Sequence, residues 1–460
     1  MLIEQGILTA EQGRTILGLL REIEALGPEQ FPMDPAAGAF IEQLERYMSD
    51  RAGEDIAGRL HTGRSYIDYD AAVARLFARN RLLEVVDRLL ALQQTLLDVA
   101  ERHTLTIMPG YTDLQHAQPW TFGHYLLRHV ATLDRDMERL EGAFARTNLS
   151  SLGGAALVGT SWPLDRQRVA GLLGHPGIVR HAHDAGELTS DVILEGISVL
   201  SIVMSNLARL AGDLYVWSSQ EFGFVELADE YAGTSSIMPQ KKNPYALGVV
   251  KGLAGQAIGW MPWMQGIFKG ATSTDLDYPY VGDLLDQATR SAVAATDLME
   301  GVVRTLSINV EVMRERAAAS WSAASHLADE IVRHRGLSFR SAHRIVGRLA
   351  RDAIDAGVSP RSVTGAMLDE AAMRVTGSPL GIPDPVIRAA LDPVRFIETR
   401  MTLGSVHPDE VRKMAAEARD RLGAHRALLS AVASRIREAR AQLDARVQDL
   451  MQPTQQRPGS

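Results

Sequence analysis

Residues 232–244 read AGTSSIMPQKKNP and concentrate more potential chemistry than any other stretch of the chain. A Gly–Thr–Ser–Ser run resists helix, because glycine and hydroxyl side chains favour alternatives to the backbone ladder. Met238–Pro239, the pair Lys241 and Lys242, and Asn243–Pro244 follow it. The segment gathers hydroxyls, cations and amide donors with little bulk, which suits a small anion. Backbone N–H groups and Lys241 supply positive potential, and Asn243 supplies a directed donor. The same field favours an ionised serine, which is otherwise a very poor base. A Lys-Lys pair alone would be a solvated basic turn; the hydroxyls and the asparagine raise this segment above that. Lys242 is expected at the surface or in a subunit contact.

Long helices must position such a loop. Leu82, Val86, Leu89, Leu92 and Leu96 form one apolar stripe at spacings of three and four. Phe122, Leu126, Val130, Leu133, Met137, Leu140 and Phe144 form a second. Residues 191–218 are apolar on most faces, as a helix surrounded by helices must be. The stretches 246–268 and 285–332 also read as helix, and strand signals are scarce. The expectation is an all-α fold in three parts: a short N-terminal helical region (1–65), a long central bundle (66–333) and a C-terminal region of shorter helices (334–460). Proline and glycine clusters at 32–38, 377–385 and 402–408 punctuate it. Residues 409–450 read as an exposed, charge-rich helix, and the last eight residues as a frayed tail.

Composition excludes several classes. The chain has 460 residues, 46% of them hydrophobic, and can bury a large core. A net charge of −8 with no basic block gives no footprint for nucleic acid or an anionic membrane. There are no cysteines, so disulfides and thiolate metal sites are excluded, and a cytoplasmic location fits. Thirteen histidines show no HExxH or comparable spacing, so no metal site is expected. The N-terminus, with early acidic residues and helical spacing, reads as neither signal peptide nor membrane span. No other uninterrupted apolar stretch is expected to cross a bilayer.

The segment 232–244 closely resembles the GSSxMPxKxN loop of the fumarase/aspartase superfamily, and its Gln-Lys-Lys-Asn-Pro form resembles the argininosuccinate lyase branch. Residues 106–127, 150–166 and 221–244, with GLSFRSAHRIVGRLARDAI and IETRMTLGSVHPDEV, are similar as well, so the likeness spans most of the chain. It implies a three-domain fumarase/aspartase-like fold. It also implies a homotetramer with sites shared among three subunits, and a small carboxylate substrate. By the same resemblance Ser235 is the base that removes a proton beside a carboxylate, with Ser236 and Gln240 in the same loop. Lys241 and Asn243 hold that carboxylate as charge builds. Ser65, Thr112, Gln118 and Thr160 match substrate contacts, and Arg64 flanks the turn that carries Ser65. Thr160 has an alternative role as an N-cap for the following helix. Thr234 replaces a glycine of the pattern.

Several departures fall where the chemistry sits. In LHTGRSYID the family's Arg-Asn pair, which helps bind the succinyl carboxylates, is Tyr66–Ile67; neither makes a bidentate carboxylate contact. Asp68 remains. In GYTDLQ the family's histidine is Asp113, and in KNPYALG the family's glutamate is Gly248. That histidine and glutamate form an acid/base dyad, so losing both together reads as a coordinated rearrangement. Asp113 is a candidate acid/base group, or an aspartate that orients Thr112 or a nearby helix. His116 and His124, taken as helical neighbours of Asp113, read as structural. The segments 183–195 and 269–283 also depart from the family. About forty family residues, including a substrate-contacting loop, precede the region where this chain begins.

The resemblance and its departures together imply a cofactor-free β-elimination: cleavage of a C–N bond in an N-substituted succinate other than argininosuccinate, releasing fumarate or a related unsaturated acid. Two alternatives stand beside it. One is a genuine argininosuccinate lyase of arginine biosynthesis. The other is an impaired structural or hetero-oligomeric homologue, as the delta-crystallins of the family are.

Overall fold

In the computed structural model, the described residues are 1–34, 36, 38–186, 191–269 and 278–452. Parts of the expectations for 183–195 and 269–283, and that for the C-terminal tail, fall outside the described residues.

The chain begins with α1 (Ala10–Gln30), α2 (Phe40–Ala52) and α3 (Glu54–Gly58). Thr9 and Gln12 close a capping box on α1, which ends in a kink at Gly27–Pro28. Ile16, Leu19, Leu44, Tyr47 and Met48 bury one another in a core of their own. From Tyr66 the sequence changes to long runs free of proline, and α4 (Tyr66–Arg102) continues for 37 residues. A hairpin of β1 (Ile107–Thr112) and β2 (Gln115–Thr121) leads into α5 (Phe122–Thr147). Gly123 allows that entry, because a Cβ there would lie 2.4 Å from the Ala100 carbonyl oxygen. The short α6 (Arg166–Leu172) and α7 (Ala182–Gly186) precede α8 (Asp191–Trp217).

The strands β3 (Val225–Glu226), β4 (Gly233–Thr234) and β5 (Lys242–Asn243) frame the loop before α9 (Tyr245–Ala257) and α10 (Trp260–Ile267). Then come α11 (Tyr278–Thr305), β6 (Ser307–Ile308) and α12 (Val310–Ala319). Both apolar stripes read from the sequence pack into one core, which α8, α9, α10 and α11 complete. Leu82, Leu89, Leu92, Leu96, Val130 and Met137 are essentially sealed from solvent there.

A second apolar core joins α13 (Ala324–Arg335), α14 (Phe339–Asp355), α15 (Gly365–Thr376) and α16 (Asp384–Ala390), with α17 (Pro393–Glu398) beyond it. Finally α18 (Pro408–Met451) runs back along the molecule. It is charge-rich and largely exposed, but Val411, Ala415, Ala418 and Leu422 enter the central core, so one face is committed.

Four expectations need correction. Residues 285–332 are not one helix: after Thr305 the chain forms β6, which pairs with β3, and Asn309 N–H bonds the Phe224 carbonyl at 2.9 Å. The stretch 246–268 breaks at Ile258–Gly259. Residues 107–121 form a hairpin, so Asp113 and His116 are not helical neighbours. By length and composition α8 is long and apolar enough to cross a membrane; here it packs against α5, α9, α10 and α11.

Ion pairs fasten the first residues to the last helix. Glu4 accepts from Arg168 of α6 at 3.2 Å and from Arg446 of α18 at 3.0 Å. The Arg168 hydrogen bond comes first among the effects that hold its carboxyl at about 2, below the ordinary 4.5. A lowered carboxyl pKa adds stability above the unfolded value and loses it as pH falls through the folded one. Glu4→Gln is therefore expected to destabilise by about 1 kcal/mol or less at pH 7, the scale of a partly exposed pair. The difference should shrink below pH 4.5 and vanish only below pH 2 in denaturant melts. A gap as large at pH 2 as at pH 7 would contradict the ion-pair account.

Candidate active site

Within one chain the candidate site residues fall into three separate groups. The first is the loop between β4 and β5. Antiparallel pairing of Gly233 with Asn243 and of Thr234 with Lys242 closes its neck. Ser235 N–H bonds the Lys241 carbonyl at 3.3 Å, and Lys241 N–H bonds the Met238 carbonyl at 3.0 Å. Inside this turn the Ser235 hydroxyl oxygen accepts the Met238 N–H at 3.1 Å and the Ile237 N–H at 3.3 Å. Two amide dipoles directed at one oxygen stabilise it as an alkoxide more than as a hydroxyl.

The adjacent lysines divide their roles. Lys242 is paired with Asp229 at 2.7 Å and Glu226 at 2.9 Å, and Asp229 foremost raises its pKa. Lys241 has no ion-pair partner among the described residues and remains the available cation beside Ser235. Asn243 is half-buried at the neck, while Ser236 and Gln240 are exposed on the loop.

The second group is at the start of α4. Ser65 is its N-cap residue, but the hydroxyl makes no capping bond. Arg64 and Ser65 line a cavity of about 610 Å³ together with Tyr66. Tyr66 donates to Glu45 at 3.3 Å. Ile67 faces elsewhere: its Cγ2 is 3.6 Å from where a Cβ on Gly186 would sit, with Leu157 beside the same point. Asp68 is fully buried and accepts from Gly153 N–H at 2.8 Å and Gly154 N–H at 3.0 Å. Burial raises the Asp68 pKa, and those two N–H groups oppose the shift.

Asp68 thereby ties α4 to the glycine-rich turn at 150–166. Arg166 grips the same turn through the carbonyls of Leu152 and Ser151, both at 3.2 Å, and reaches the Val179 carbonyl at 2.8 Å. The turn holds two non-glycine residues at positive φ, Ala155 (51°) and Leu157 (72°), each costing roughly 1–3 kcal/mol. Thr160 lies beyond it, exposed, and its hydroxyl accepts the Trp162 N–H at 3.3 Å. It does not cap α6; Asp165 does, accepting the Arg168 N–H at 2.8 Å.

The third group is the β1–β2 hairpin. Asp113 and Leu114 form its two-residue turn with φ of 52° and 59°, the primed geometry that matches strand twist. Thr112 and Asp113 are exposed at this tip. Gln118 donates to Ser325 at 2.9 Å. His116 sits 3.1 Å from the Tyr111 hydroxyl, and burial lowers its pKa. His124, in the first turn of α5, meets the Gly404 carbonyl at 3.2 Å. Gly248 is exposed in the first turn of α9 with open space where a Cβ would go. No hydrogen bond among the described residues joins one group to another. Sequence reasoning missed Asp68 and Arg166 as the clamps of the glycine-rich turn. Their partners are backbone atoms, which leave no residue pattern.

A general lyase family model matches residues 2–259, and an argininosuccinate lyase C-terminal model matches 321–398. The argininosuccinate lyase of Methanosarcina acetivorans is 41% identical over 416 residues, 90% of this chain and 83% of that one. The chain belongs to the argininosuccinate lyase family of the fumarate lyase superfamily. A crystal structure of EDDS lyase in complex with formate superposes with a TM-score of 0.90 at 33% identity, covering 98% of this chain and 89% of that one. A variant of EDDS lyase with bound fumarate gives 0.89 at the same identity and coverage. With these relatives, the all-α fumarase/aspartase-like fold and a carbon–nitrogen lyase activity are established for the chain.

The clamped turn gives a stability test. Gly153 has φ 96°, and a Cβ there would lie 2.7 Å from Arg166 Cγ. Gly153→Ala is expected to cost about 1–3 kcal/mol through backbone strain and overpacking. Urea unfolding reads it, and a midpoint equal to the parent's would sink the account.

Proposed function

We propose that the chain catalyses a cofactor-free β-elimination on an N-substituted succinate other than argininosuccinate. The observation that carries the reading is the pair of backbone N–H groups on the Ser235 oxygen, with Lys241, which has no ion-pair partner among the described residues, in the same loop. Ser235, as alkoxide, takes the proton from the carbon next to one carboxylate. The electron pair moves into that carboxylate, where Lys241, Asn243 and loop amides stabilise the dianion. In the collapse that pair returns to form the carbon–carbon double bond, and the nitrogen leaves with the C–N bonding pair and takes up a proton from water. The products are an amine and fumarate or a related unsaturated acid.

The choice of substrate rests on α4. Where the resemblance expects two carboxylate-binding side chains, Tyr66 is tied to Glu45 and Ile67 packs against the glycine-rich turn. Asp113 sits on an exposed hairpin tip and Gly248 faces open space, so the acid/base dyad has no counterpart at these positions. Assembly as a homotetramer would bring the three groups of different subunits together. Exposed apolar side chains around the loop support it: Ile237 is 83% exposed, with Met238, Tyr245 and Val249 nearby in sequence. Asp113, Thr112, Gln118 and Thr160 then meet substrate across subunit boundaries.

Purified protein, fumarate and a panel of amines test the reading by fumarate absorbance in both directions. Turnover is expected with at least one amine, and Ser235→Ala should lower kcat by about a hundred- to ten-thousandfold. Argininosuccinate should be a poor substrate. Efficient argininosuccinate cleavage would refute the substrate assignment, and unchanged activity in Ser235→Ala would refute the base.

A further inference from the structure

A cavity of about 500 Å³ opens between the β1–β2 hairpin, residues 221–224 and α12. That volume is in the range of small-molecule sites. One wall is aromatic. The Tyr111 ring centroid is 5.6 Å from that of Phe222 and 6.3 Å from that of Phe224, and the two phenylalanines meet edge to face at 5.6 Å. Two local features build this wall. The hairpin register shifts between Pro109 and Tyr111, which sets Tyr111 opposite His116, and such cross-strand partners share a face. Asn309, at the start of α12, donates from Nδ2 to the Gly223 carbonyl at 2.7 Å and from its backbone N–H to the Phe224 carbonyl at 2.9 Å. The segment that carries both phenylalanines is thereby fixed before any ligand arrives.

The polar lining divides by charge. The Tyr111 hydroxyl and His116 Nε2 lie 3.1 Å apart and satisfy each other. Burial pushes the Tyr111 phenol up to about 12 and lowers the His116 pKa, so both are neutral at pH 7. Arg316 and Glu221 are the charged groups that remain in the lining. They have opposite signs and face one cavity, yet no ion pair joins them, and neither has an ion-pair partner among the described residues. Arg316 Nη2 leans on the Glu221 backbone carbonyl at 3.4 Å, which leaves the rest of its fork and the Glu221 carboxylate open to a ligand. A guanidinium fork fits a carboxylate, a carboxylate takes an ammonium, and an aromatic wall takes a ring. One kind of small molecule carries all three.

We propose that this cavity binds a free aromatic α-amino acid, its ring against Tyr111, Phe222 and Phe224, its carboxylate on Arg316 and its ammonium on Glu221. The site goes beyond the elimination reading and requires nothing of Ser235.

Isothermal titration of the full chain with phenylalanine and three analogues tests this. Phenylalanine is expected to bind at one molecule per chain. Phenethylamine, which lacks the carboxylate, and 3-phenylpropionate, which lacks the ammonium, should each bind about tenfold more weakly or worse. Cyclohexylalanine, which keeps both charges but has no π face, should bind about three- to tenfold more weakly. Arg316→Gln should erase the preference over phenethylamine, and Glu221→Gln the preference over 3-phenylpropionate; both side chains are exposed, so the variants should fold. Ser235→Ala should bind phenylalanine as the parent does. No measurable binding of phenylalanine, equal affinity for phenylalanine and phenethylamine in the parent, or unchanged selectivity in both charge variants overturns the proposal. Loss of phenylalanine binding in Ser235→Ala would place the ligand in the elimination site and overturn it as well.

Discussion

The fold depends on one constraint: α4, α5, α8 and α11 carry apolar surface along most of their length, and they cover it with one another and with α9, α10 and one face of α18. Each buried leucine contributes about 1.5–3 kcal/mol, and the shared core holds dozens of apolar side chains. Backbone polar groups inside such a core must be paired, and here helix pairs nearly all of them. Every irregular segment is therefore displaced to the helix ends, and the candidate chemistry is confined to those ends. The loop at 233–243, the hairpin tip at 113–114 and the turn at 150–166 each occupy a junction that the bundle fixes in space.

A rigid bundle does not by itself shape a loop. Each junction has a local device that replaces the missing helical bonds. In the glycine-rich turn, Asp68 receives the amides and Arg166 receives the carbonyls, so two opposite charges satisfy the two kinds of backbone group. The two side chains also interact: Asp68 is buried and Arg166 half-buried, and each opposes the desolvation of the other. In the Ser235 loop the device is the serine hydroxyl itself, which accepts two amides. The group that shapes that turn is the group proposed to react, so the geometry of the base needs no separate support.

The helices were legible because their periodicity is local. Leu82 to Leu96 and Phe122 to Leu140 could be placed on buried faces from spacing alone, and the superfamily from the pattern at 232–244. What was illegible depends on partners distant in sequence. Ser307–Ile308 leaves the helix because Val225 and Glu226, some eighty positions earlier, offer a strand edge. The 107–121 hairpin has prolines in both strands, Pro109 and Pro119, which hide its strand character. Its turn uses Asp-Leu where glycine would announce the geometry. Asp68 looked like an ordinary first-turn carboxylate, and only the fold shows the two amides it receives. Of the two lysines, Lys242 is set apart by Glu226 and Asp229, which the loop motif does not include.

The start of α4 separates two questions that the sequence presents as one. Arg64, Ser65, Tyr66 and Ile67 are consecutive, and a motif reading treats them as a single carboxylate cradle. On a helix, neighbours diverge by about 100°. Tyr66 turns to the cavity under α1 and Ile67 to the glycine-rich turn, so one substitution alters each side of the helix. Proton abstraction beside a carboxylate makes the same demand whatever amine the succinate carries, which is why the Ser235 loop can keep its form. Recognition of the amine makes no common demand, and its residues are free to change. The positions that depart from the family at α4, the hairpin tip and Gly248 therefore mark the half of the site that the shared chemistry does not constrain.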